Sequence, residues 1–171
     1  LVGSEMCIRD STYDMEGAAV SPEGSQILYW GVNFESIRPD YRQLMLYDLS
    51  TGRTRSLLPD GTHRITQVGW WGADIWFESG APHTSVSRSP KLYLLNPVTG
   101  DCRTFCAPDG FLSTSAIGDM SLGGGKVCAV QGDSLYAVRL QRDVTALLRF
   151  DKAGNFAPVA SYEGIACFDI I

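Results

Sequence analysis

Apolar residues in this chain come in short runs of four to six, rich in aromatic and branched side chains and broken by Gly, Pro, Asn and Asp. The clearest stretch lies between Ile65 and Gly110. It predicts four strands in succession: Ile65–Trp70, Ala73–Glu78, Lys91–Leu95 and Asp101–Cys106. Turn signals separate them, namely Gly72, Pro82, Pro90 and Asn96-Pro97-Val98-Thr99-Gly100, and Pro108-Asp109-Gly110 closes the unit. Short β-prone runs with such boundaries are the signature of antiparallel strands joined by tight turns.

The unit recurs. Upstream, Ala18-Ala19-Val20 leads into Ser21-Pro22-Glu23-Gly24 and the strand Gln26–Trp30; a charged loop, the strand Gln43–Asp48, a turn ending on Gly52 and the strand Arg53–Leu58 follow. Tyr47–Gly52 corresponds to Leu95–Gly100, and Pro59-Asp60-Gly61 to Pro108-Asp109-Gly110. Downstream, Ala116–Ser121, Lys126–Gln131, Ser134–Leu140, Thr145–Phe150 and Asn155–Ala160 form a looser copy, with Pro158 expected on an outer sheet edge. Four strands repeated every 50 residues or so is the mark of a β-propeller blade. No stretch sustains helical periodicity, which excludes the crossover helices of a parallel sheet.

The predicted fold is therefore all-β, a partial β-propeller of about three four-stranded antiparallel blades and the start of a fourth. The blades are expected at about 15–61, 62–110 and 111–164, with a partial unit at 165–171. On this count the chain is expected to be a fragment of a longer protein. Residues 1–11 carry neither strand nor helix pattern; they resemble translated sequencing-adapter read-through and are set aside as a non-native leader.

Composition agrees with a turn-rich β protein: 18 Gly and 8 Pro in 171 residues. The net charge is −5, and no basic stripe exists to track a phosphate backbone, so nucleic acid is not an expected partner. No apolar run approaches the roughly 20 residues that span a bilayer, and no secretory signal is visible. The five cysteines form an odd, irregular set, read as reduced thiols of a cytoplasmic protein. Cys102 and Cys106 are too far apart on an extended strand to pair, and are expected to share one face of it.

Several motifs resemble one family. Ser21-Pro22-Glu23-Gly24 before an apolar strand resembles the Ser-Pro-Asp-Gly turn of Tol-type propeller repeats. More specific is the run Lys91–Gly100, followed by Pro108-Asp109-Gly110, Gly118-Asp119 and Gly123-Gly124-Gly125. With Leu148-Arg149-Phe150-Asp151, Gly154-Asn155 and Tyr162–Asp169, these blocks resemble the central blades of bacterial prolyl oligopeptidase-family serine peptidases of the acylaminoacyl-peptidase and dipeptidyl-aminopeptidase type. The resemblance spans Met15 to Ile171. It implies a seven-bladed propeller set over an α/β-hydrolase domain that bears Ser, Asp and His, and a short peptide as substrate. The partners it implies for this chain are the rest of the propeller and that hydrolase domain.

None of the catalytic machinery is carried over, because no residue here matches it. A Gly-x-Ser-x-Gly elbow is missing; Gly110-Phe111-Leu112-Ser113 has the wrong spacing. His63 and His83 read as exposed loop residues. Gly123–Gly125 before Lys126 is not a phosphate loop, since Met120 stands where the first Gly belongs and Val127 where the hydroxyl belongs. Cys102 and Cys106 form one Cys-x3-Cys pair in mid-strand, but His63 and His83 lie 20 residues apart rather than in a paired spacing, so strand packing explains the cysteines better than a zinc site. Trp70, Trp71 and Trp76 are expected to fill the wedge between blades rather than to stack a ligand. No catalytic, cofactor-binding or metal-binding residue and no cofactor are expected. Two functions stay open: the gating part of a serine peptidase, and a non-enzymatic Tol-type or WD-type propeller that binds a protein or peptide.

Overall fold

A computed structural model describes residues 13–33, 42–59, 61–80, 90–106, 112, 127–141 and 144–162. The leader 1–11, His83, Gly123–Lys126, Ala116–Ser121 and the expected fourth unit at 165–171 lie outside the described residues. Every element described is a strand. Twelve strands form three four-stranded antiparallel sheets, each paired in chain order. Among the described residues no helix is long and apolar enough to cross a membrane.

The first sheet holds β1 (Tyr13–Val20), β2 (Gln26–Asn33), β3 (Arg42–Asp48) and β4 (Arg53–Ser56). The second holds β5 (Arg64–Trp71), β6 (Asp74–Gly80), β7 (Lys91–Leu95) and β8 (Cys102–Cys106). The third holds β9 (Cys128–Gln131), β10 (Ser134–Gln141), β11 (Val144–Phe150) and β12 (Phe156–Tyr162). The chain separates into two compact units, 1–65 and 66–171.

Two of the repeated turns are built from the same hydrogen bonds. Asp48 Oδ1 accepts the Ser50 and Thr51 N–H groups, and the Gly52 N–H donates to the Asp48 carbonyl. Asn96 Oδ1 accepts the Val98 and Thr99 N–H groups, and Gly100 N–H donates to the Asn96 carbonyl. In the third sheet Asp151 caps a turn one residue shorter, where its Oδ1 accepts the Asn155 N–H and the Gly154 N–H donates to its carbonyl. A short acidic or amide side chain that caps its own turn is the reason these positions match in the sequence.

Two strands run further than their glycines suggest. Gly31 lies inside β2, where a Cβ would overlap the Asp14 carbonyl, so the glycine admits β1 at close range instead of ending the strand. The register of β1 shifts between Met15 and Gly17, which leaves Glu16 as a bulge whose carboxylate pairs with Arg42.

Within unit 66–171 the second and third sheets share one core. Trp71, Trp76, Leu92, Leu94, Phe105 and Leu112 pack with Leu135, Ala137, Ala146, Leu148 and Phe150. Trp71 meets Phe105 edge-on, with centroids 5.7 Å apart at 70°. Side chains that alternate along a strand put only every second residue on this face. On the other face of the second sheet Phe77 stacks on Tyr93 at 5.0 Å. Trp71 and Trp76 thus fill an inter-sheet wedge, as expected, and Trp70 is buried as well.

Candidate functional site

The residues that the sequence put forward for chemistry do not assemble. His63 is half-buried rather than exposed, and burial lowers its pKa. Cys102 and Cys106 do not share a face. The partner of Leu92 is Cys106 and that of Tyr93 is Thr104, so Phe105 is an inserted residue. That bulge reverses the alternation and leaves Cys102 exposed and Cys106 buried, with both recorded as free thiols. Among the described residues no group of three His, Cys, Asp or Glu is placed to hold a metal ion.

One ionisable group that the sequence reading passed over does sit in a built site. Glu78 is only 3% exposed and lies in β6 between Phe77 and Ser79, both fully buried. Its carboxylate faces the wedge. Oε1 accepts the N–H of Leu112, 34 residues on in the crossing between the two sheets, at 2.9 Å. Oε2 accepts the Thr66 hydroxyl from β5. Burial raises the Glu78 pKa, while the Thr66 and Leu112 hydrogen bonds pull it back down. The Cys128 thiol of β9 is close enough to feel that charge, and burial first and Glu78 second push its own pKa far up. The one signal in the sequence was an acid within the apolar run Ile75-Trp76-Phe77-Glu78.

The opposite end of the same wedge carries charge at the surface. Lys152, in the turn before β12, pairs with Asp74 Oδ2 at 2.7 Å and stands 5.7 Å from the Trp71 ring centroid. Arg103 of β8 donates from Nη2 to the Lys152 carbonyl at 2.9 Å. Beside them lies an open cavity of about 480 Å³ lined by Asp74, Leu94, Asn96, Asp101, Cys102 and Arg103. The polar groups there are already engaged: Asp101 takes the Thr99 hydroxyl, and Asn96 caps its turn. The geometry fits holding the second and third sheets together and fixing Leu112.

No family model matches this sequence, and no curated protein sequence matches it. Solved structures do. Puromycin hydrolase superposes with a TM-score of 0.63 at 18% identity, over 86% of this chain and 22% of that one. The fold is a partial β-propeller. Its three sheets are blades, and the described part of the chain matches the expected class. A TolB-like protein from Agrobacterium tumefaciens gives a TM-score of 0.57 at 16% identity, over 91% of this chain and 52% of that one. The acylaminoacyl peptidase of Pyrococcus horikoshii gives 0.54 at 12% identity, over 86% and 25%. The propeller segment thus spans about a fifth to a half of the proteins it resembles.

Proposed function

We propose that this chain is the gating, substrate-size-selecting propeller segment of a prolyl oligopeptidase-family serine peptidase. The observation that carries the reading is that one stretch of chain has both properties. Its blocks from Lys91 to Asp169 resemble central blades of that family, and its blades superpose on puromycin hydrolase and on an acylaminoacyl peptidase. In this reading the catalytic Ser, Asp and His belong to an α/β-hydrolase domain outside these 171 residues. The blades form part of the wall through which a short peptide reaches the serine. Their role is to exclude large substrates and to shield the site from bulk water, with the chemistry supplied elsewhere. The match to half of a TolB-like chain favours the second reading, a scaffold that binds a protein or peptide without catalysis.

The contiguous reading frame of the gene separates the two. The peptidase reading expects further blades, then a Gly-x-Ser-x-Gly elbow followed by Asp and His. A frame that closes the ring and stops without an elbow overturns it and leaves the scaffold. Purified chain 1–171 is expected to show no turnover of chromogenic aminoacyl or acyl-peptide substrates. Turnover abolished by a serine-directed inhibitor would contradict the assignment of catalysis to another domain.

A further inference from the structure

A carboxyl group buried between two blades is costly when ionised, unless donors replace the water it has lost. Glu78 has donors but, among the described residues, no lysine or arginine paired with it. Among the described residues its hydrogen-bond partners are neutral, the Thr66 hydroxyl from β5 and the Leu112 N–H, and the Cys128 thiol of β9 is near enough to feel its charge. Among the described residues both hydrogen-bond partners of the carboxylate are donors, the arrangement an ionised group requires. One detail provides for the other state as well. The Thr66 Oγ1 also lies 3.4 Å from the main-chain oxygen of Glu78, so its proton has a second acceptor within reach.

We propose that Glu78 and Thr66 form a proton-binding switch in the wedge between the second and third blades, whose state sets how tightly Leu112 is held. In the ionised state the carboxylate accepts from Thr66 and from Leu112. When a proton arrives from solvent on Oε2, that oxygen becomes a donor to Thr66 Oγ1. The Thr66 hydroxyl then turns its own proton to the Glu78 main-chain oxygen. One proton is gained, one negative charge is removed, and no polar atom is left without a partner. Leu112 keeps its bond to Oε1, but to a neutral carbonyl in place of a charged oxygen. Charge-assisted hydrogen bonds are about twice as strong as neutral ones, so Leu112 is held less firmly in the protonated state.

Stability and tether respond to pH in opposite directions. Because burial raises the folded pKa above the usual 4.5, Glu78 contributes stability that is fully present below 4.5. That contribution is lost as pH rises through the raised value. The bond to Leu112 strengthens over the same interval.

Infrared difference titration of the whole chain tests the switch. A protonated-carboxyl band is expected that titrates above the usual glutamate range and is missing from Glu78→Gln. Thr66→Val should move its midpoint higher, because the donor that favours the ionised form is gone. Amide-exchange protection at Leu112, referenced to Leu148, should fall about five-fold as pH drops through that midpoint. A midpoint at or below the usual range overturns the proposal, as does Leu112 protection that follows Leu148 at every pH. A midpoint unmoved in Thr66→Val rules out the hydroxyl reversal. If Glu78→Gln does not fold, the Thr66→Val shift and the Leu112 protection decide the matter alone.

Discussion

The ammonium of Lys152 stands 2.7 Å from the Asp74 carboxylate, tying a turn of the third blade to the first residue of β6 in the second. Both side chains are partly exposed, at 37% and 23%, so the pair is screened by solvent. A double-mutant cycle with Lys152→Met and Asp74→Asn is expected to give a coupling of about 0.5–1 kcal/mol that shrinks in high salt. Lys152→Ala is expected to cost more than Lys152→Met, since it also removes the aliphatic stem near Trp71. Urea midpoints measure all of these variants. Equal losses for the two Lys152 variants would show that the stem contributes nothing.

Gly154 in the same turn has φ +95°, and a Cβ there would overlap the Phe105 carbonyl oxygen. Gly24 has φ +74° with open space around it. Gly154→Ala is therefore expected to lose at least about 2–3 kcal/mol, from backbone strain and from the blades being pushed apart. Gly24→Ala pays the conformational term alone, about 1–2 kcal/mol. Denaturant melts of the pair check the difference. If the two cost the same, the close approach of the third blade to β8 is not limiting.

Asp48 has its pKa held down at about 2 from the usual 3.8, first by the Ser50 hydroxyl and then by the Thr51 N–H. A depressed carboxylate stabilises the fold above its unfolded value, so this contribution is present above pH 3.8 and lost as pH falls through about 2. Carboxyl NMR should find the Asp48 midpoint near that value in the folded chain. Ser50→Ala should move it up toward 3.8. An unchanged midpoint would transfer the effect to the backbone donors.

Cys102 is exposed where Cys106 is buried, so native chain treated with a thiol reagent should be labelled at Cys102 and protected at Cys106 until it unfolds. The Cys102 thiol itself is partly desolvated and its pKa is raised, so labelling should be slower than for a free cysteine at neutral pH and should quicken as pH rises. Peptide mapping by mass spectrometry reads each site. Equal labelling of both would mean that β8 lacks its bulge in solution.

Sequence alone determined the repeat, because strand length and turn chemistry are local properties. Lys91–Leu95 is a strand with the expected bounds, and Asp48, Asn96 and Asp151 each cap a turn since each needs only its own next few residues. Pro158 lies in an outer edge strand, β12, as a residue without an N–H must. The bulges were not legible. Whether Phe105 or Glu16 is an inserted residue is fixed by the register of the partner strand, and that register decides which cysteine meets water. Glu78 was hidden for the same kind of reason. An acid in an apolar strand becomes a proton site only when a hydroxyl on β5 and an amide 34 residues away close over it, and those contacts exist only once the two blades have packed.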